Sequence, residues 1–108
     1  MAEKSVRRRK LEQSLAEDPQ DTFLRYGLAL QCLGEGDVEE GRSRLHALIA
    51  DHPDDQVAAY QHLGQSYVET GETEKAVQIL RLGIAKAQAR GDLHAASEME
   101  QLLEATES

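Results

Sequence analysis

Residues 60–80 read YQHLGQSYVETGETEKAVQIL, and this stretch decides the fold. Tyr60, Leu63, Gly64 and Tyr67 are spaced three and four apart, which puts them on one face of a helix. Gly71 interrupts the pattern, and Ala76 with Leu80 face back from a second helix. Gly64 has no side chain, so the second helix can approach closely there, and Ala76 is the small residue expected to meet it. The bulk of Tyr60, Tyr67 and Leu80 then fills the space around the contact, with Leu82 and Ile84 extending the apolar face. The stretch predicts two antiparallel helices packed as a hairpin.

The same pattern occurs earlier in the chain. A shift of 35 positions lays Leu28 on Leu63, Ala29 on Gly64, Cys32 on Tyr67, Gly36 on Gly71, Gly41 on Ala76, Leu45 on Leu80 and Ile49 on Ile84. Arg25 falls where a large aromatic belongs, and Tyr26 beside it supplies the bulk. A half-repeat precedes this unit: Leu11, Leu15 and Pro19 stand 34 positions before Leu45, Ile49 and Pro53, with Arg7 in the small-residue place. Spaced in this way, the residues resemble the tetratricopeptide repeat, W-x2-L-G-x2-Y followed by A-x3-F and P, with Tyr60 in the Trp place and Leu80 in the Phe place.

That resemblance implies an all-α array of antiparallel hairpins, an α-α superhelix of about six helices, forming a single domain over residues 1–108. Its parts are a leading half-repeat over 4–18 (helical over 4–17), a first repeat over 21–53, a second over 55–89, and a capping helix over 92–105. The leading helix ends at Glu17-Asp18-Pro19, because proline disfavours helix in the residue before it. Its basic start opposes the helix dipole, so its first turn is expected to fray. Gly91 stops the long second-repeat helix and Asp92 caps the next. In that last helix Ala95, Ala96, Met99, Leu102 and Leu103 share one face, which suits a helix that covers the apolar end of a stack.

Composition agrees with helix throughout: the 108 residues include two prolines, one phenylalanine and no tryptophan. The charge is −8, with Lys4, Arg7, Arg8, Arg9 and Lys10 crowded at the start of an otherwise acidic chain. Such a chain repels nucleic acid and lacks the basic, aromatic-studded face that binds it. The basic cluster reads as solvated surface, with acids of its own body, a second copy or an anionic partner as the alternatives. No apolar run follows it, so neither a signal peptide nor a membrane span is expected. A lone cysteine, Cys32, forms no intrachain disulfide, which agrees with a reducing, cytoplasmic setting.

No motif predicts catalysis or a cofactor. His46, His52, His62 and His94 lack the spacing of a zinc site, and His94 with Glu98 reads as a solvated pair rather than a metal site. Asp51, Asp54 and Asp55 lack the glycine and bidentate glutamate of a calcium loop and read as turn and cap residues. Cys32, on the packing stripe, reads as a small core residue rather than a reactive thiol. Gly34-Glu35-Gly36 follows a helix and reads as a turn rather than a phosphate loop.

The informative face is the one that packing leaves over. Relatives of this pattern bind ligands on a concave side lined by the first helix of each hairpin. Here that side carries Phe23, Tyr26, Leu30 and Leu33 in the first repeat, more apolar bulk than a solvated face holds. The second repeat offers the smaller, more polar Ala58, Gln61, Gln65, Val68 and Glu69. Either Phe23, Tyr26, Leu30, Leu33, Gln61 and Gln65 contact a protein or peptide partner, or the leading helix folds over Phe23 and Leu30 and makes them core. Some relatives clamp a peptide carboxylate with lysine and asparagine where Tyr26, Leu30 and Gln61 stand, so that role does not carry over. The expectation is a non-enzymatic module that binds a peptide or helix, with no cofactor and no metal. The alternative is a self-associating unit, a homodimer.

Overall fold

The computed structural model describes residues 3–108, and among them there are six helices and no strand. They are α1 (Val6–Glu17), α2 (Thr22–Gly34), α3 (Val38–Asp51), α4 (Val57–Glu69), α5 (Thr73–Ala89) and α6 (Leu93–Glu107). The helices gather into two compact units, Met1–Leu48 and Ile49–Ser108, with the boundary inside α3.

Three helix ends share one device. Gly36, Gly71 and Gly91 have φ of 86°, 73° and 74°, a left-handed conformation that costs glycine nothing. After each, the next N–H reaches back to a carbonyl in the last turn: Asp37 to Cys32, Glu72 to Tyr67, and Asp92 to Ala87. The glycine N–H in turn bonds the carbonyl three residues back, which completes a Schellman cap. The acid that follows begins the next helix. Asp92 accepts the Ala95 N–H at 3.1 Å, as its place after Gly91 predicts.

In the second unit Tyr60, Leu63, Gly64 and Tyr67 of α4 are all buried, as are Ala76, Leu80, Gly83 and Ala87 of α5. The partner of Gly64 differs from expectation. A Cβ placed on Gly64 would lie 2.5 Å from Leu80 Cδ2, so the notch seats a large side chain rather than meeting Ala76. Leu80 reaches Gly64 because it extends one turn back toward the start of its helix. Gly83 is a second notch, where a Cβ would lie 2.6 Å from Met99 Sδ and 2.7 Å from Tyr60 Cβ. It displaces Leu82 from its expected role: Leu82 is 51% exposed, since Gly83 holds the inward position between it and Ile84. Ala96 and Met99 of α6 are buried, with Ala95, Leu102 and Leu103 packed beside them, so α6 covers α5 as its pattern predicts. The Tyr60 hydroxyl donates to the Pro53 carbonyl at 2.6 Å, tying the loop before α4 to the core. The N-cap of α4 is Gln56, which makes no side-chain cap bond; Asp54 and Asp55 lie in the turn before it, and Asp54 also pairs with Lys86 at 2.7 Å.

In the first unit Leu28, Ala29 and Cys32 of α2 and Gly41, Leu45 and Leu48 of α3 are buried. Gly41 is the notch here: a Cβ on it would lie 2.6 Å from Leu33 Cδ2 and 3.1 Å from the Ala29 carbonyl oxygen. Leu11 of α1 lies against Gly27, 3.8 Å from where its Cβ would be.

The start of α1 corrects two expectations. The helix begins at Val6, and Ser5 caps it by accepting the Arg8 N–H at 3.0 Å, so its first turn is anchored where the charges alone predicted fraying. Within the basic cluster expected to be solvated, Arg8 is only 4% exposed. Its Nη2 lies 2.9 Å from Asp37 and 3.1 Å from Glu40, its Nη1 3.8 Å from Glu35 and its Nε 3.8 Å from Glu12. Ser5 Oγ donates to Glu35, and Gln31 donates to the same carboxylate at 2.7 Å. Lys4 pairs with Glu12 at 2.8 Å. A buried guanidinium costs free energy unless carboxylates compensate it, and here they come from α1, α3 and the α2–α3 turn. The hydrogen bonds from Ser5 and Gln31 hold the Glu35 carboxyl below its usual range. A bond from Arg8 does the same for Asp37, and bonds from Arg44 and then Arg8 for Glu40.

Two outcomes follow. Gly64→Val is expected to destabilise the chain by about 1–3 kcal/mol in urea unfolding, and by less when Leu80→Ala has emptied the facing space. Carboxyls whose folded pKa is depressed stabilise the fold above their unfolded pKa and lose that contribution as pH falls from there through the folded value. Urea midpoints should therefore fall as pH drops below about 5 and go on falling through the depressed folded values. Arg8→Met should lower the neutral midpoint more than Arg7→Met does, and its gap from wild type should narrow in acid.

Candidate interaction surface

Helix α2 is apolar on more than one side. Leu28, Ala29 and Cys32 are buried, while Phe23, Tyr26, Leu30 and Leu33 recur at spacings of three and four along a neighbouring stripe. The structure grades that stripe. Leu33 is partly buried and seats in the Gly41 notch, which makes it packing for the α2–α3 hairpin. Tyr26 and Leu30 are partly buried, and desolvation pushes the Tyr26 hydroxyl pKa up. Phe23, at the start of the helix, is 81% exposed.

The position of α1 accounts for this gradient. Its Leu11 lies on Gly27, and Gln31 Nε2 reaches Ser5 Oγ at 3.5 Å. With Arg8 fixed on Asp37 and Glu40, α1 follows the Gly27–Gln31 edge of α2 and leaves Phe23 bare. The reading in which the leading helix buries Phe23 is thereby corrected.

In the second unit Gln61 is partly buried and Gln65 exposed, one turn apart on α4. Their amides each offer a donor and an acceptor. Ala58 and Glu69 are exposed, and Val68 packs against the hydrophobic core. This surface is polar where that of α2 is aromatic and aliphatic.

The remaining titratable groups have structural surroundings. Cys32 is fully buried, its Sγ lies 3.6 Å from Glu40 Oε2, and burial above all raises its pKa. That burial favours the thiol over the thiolate. His94 Nε2 lies 3.1 Å from Glu98 on an exposed turn. Among the described residues no three of histidine, cysteine, aspartate and glutamate gather as metal ligands, and no helix is long and apolar enough to cross a membrane. Sequence reasoning missed Arg8, which looks like its neighbours Arg7 and Arg9. The available signal was helical phase: Arg8, Glu12 and Leu15 share the face that Leu11 borders.

Comparison with known proteins agrees with this geometry. The family model described as tetratricopeptide repeat matches residues 33–102. TPR repeat-containing protein PA0015 of Pseudomonas aeruginosa is 32% identical over 89 residues, covering 82% of this chain and 84% of its own. The solution structure of a tetratricopeptide repeat domain protein from Salinibacter ruber is similar with a TM-score of 0.77 at 29% identity, over 82% of this chain and 89% of that one. Protein BPP2914 of Bordetella parapertussis shares the fold with a TM-score of 0.82 at 24% identity, over 96% of this chain and 89% of that one. With the repeat register, the glycine notches and the capped turns, these likenesses establish that the chain belongs to the tetratricopeptide-repeat family.

Proposed function

We propose that this protein is a non-enzymatic interaction module that takes a peptide or helix of a protein partner on its first-helix faces. Tetratricopeptide domains generally mediate protein interactions, and the family fold is typically a non-catalytic scaffold. In the first unit Phe23 is the anchor, with Tyr26 and Leu30 beside it and Leu33 beneath as support. In the second, Gln61 and Gln65 supply directional hydrogen bonds. The observation that carries the reading is the 81% exposure of Phe23, an aromatic left in water beside partly buried apolar neighbours. Buried aromatic anchors dominate interface energetics. The reading needs no cofactor, metal, nucleic acid or membrane, and a reducing cytoplasm suits the buried Cys32.

Affinity capture from a native lysate with wild type and Phe23→Asp side by side tests this. Because Phe23 is exposed, its helical circular dichroism and urea midpoint should match wild type, while the captured partner falls by roughly tenfold or more, as loss of an interface anchor predicts. Undiminished capture by the folded variant would refute the assignment of Phe23.

A further inference from the structure

Helix α1 carries a surface groove of about 500 Å³ lined by Val6, Arg7, Lys10, Leu11 and Ser14. Val6 is 67% exposed. Arg7 and Lys10 are exposed and enter no ion pair among the described residues. Shifted by 34 positions, the five lining residues fall on Glu40, Gly41, Arg44, Leu45 and Leu48 of α3. Gly41, Leu45 and Leu48 are buried there, and Gly41 is the notch that receives Leu33 of α2. Their counterparts Ala76, Leu80 and Gly83 in α5 are buried as well, with Leu80 and Gly83 against Gly64 and Tyr60 of α4. The groove on α1 is thus, in register, the face that the first helix of a hairpin covers; Val6, Arg7, Lys10 and Ser14 on it are exposed, while Leu11 at its floor also touches Gly27 of α2.

A helix of matching type and opposite charge lies in the same chain. Helix α6 begins 36 positions after α4, a shift that carries Gly64 onto Glu100 and Val68 onto Glu104. Both glutamates are exposed and enter no ion pair among the described residues. Residues 91–108 hold five acids and no lysine or arginine.

We infer that the α1 groove receives α6 of a second copy of this chain, head to tail and antiparallel, as in the hairpins. Carried over by register, the Leu33–Gly41 contact becomes Glu104 of one copy against Arg7 of the other. The Gly64–Leu80 contact becomes Glu100 over Leu11, beside Lys10. Arg7 and Glu100 replace the two small residues that let hairpin helices interlock. The joint is therefore wider than a hairpin, held by opposite charge over a short apolar floor, and reversible. This surface is separate from the Phe23 face, so Phe23→Asp leaves it intact and the two readings fail independently.

Sedimentation velocity of the full chain, over a dilution series reaching millimolar concentration, reads this out. Arg7→Glu with Lys10→Glu should weaken self-association by more than about tenfold, and so should Glu100→Lys with Glu104→Lys. Helical circular dichroism should not change, since all four side chains are exposed. Mixing the two variants should restore association, because each then offers the other opposite charge at both surfaces. A wild type that stays monomeric throughout overturns the inference. So does self-association indifferent to either pair of substitutions, or a mixture of two folded, monomeric variants that does not associate.

Discussion

A helix with a glycine on its inner face presents a hollow, and the neighbouring helix fills it with a long side chain. Leu80 fills the hollow at Gly64, Leu33 the one at Gly41, and Met99 with Tyr60 the one at Gly83. Protein interiors are packed to crystal density, so each hollow and its occupant determine one another. Glycine costs about 1 kcal/mol of helix propensity relative to alanine, and close helix contact offsets that cost. The turns then bring the filled faces together: the same left-handed glycine and the same back-reaching N–H recur at Gly36, Gly71 and Gly91.

Charge takes over where hollows are absent. In α1 the small-residue place holds Arg7, which stays in solvent, and the next residue inward is Arg8. Ion pairs from Arg8 to Asp37 and Glu40, together with the Ser5 and Gln31 bonds to Glu35, fix α1 along one edge of α2. That placement decides what remains exposed. A helix lying one stripe over would have covered Phe23 and left the first unit without its aromatic surface.

Most of the architecture was legible because it depends on spacing. The periods of three and four, the glycine stops and the 35-residue repeat predicted an all-α array of about six helices, which is the architecture observed. They also picked out Leu28, Ala29, Cys32, Leu45 and Leu63 as core. Spacing does not say which side chain enters which hollow, so the partner of Gly64 and the outward place of Leu82 were misread. Side-chain reach along the helix, rather than Cα register, decides those contacts. Arg8 was illegible for a different reason: three consecutive arginines look equivalent in sequence, and only the acids brought up by the α2–α3 turn single one out. Phe23 was legible as a surplus apolar residue, but its exposure depended on where α1 came to rest.

The single thiol gives the molecule an internal clock. Cys32 is sealed between α2 and α3 with no exposed surface, and burial keeps it protonated. A thiol reagent in solvent can reach it only during excursions in which that hairpin parts. Its labelling rate therefore reports every opening that exposes this one site, from a parting of the hairpin to unfolding of the whole chain, without any probe having to be introduced.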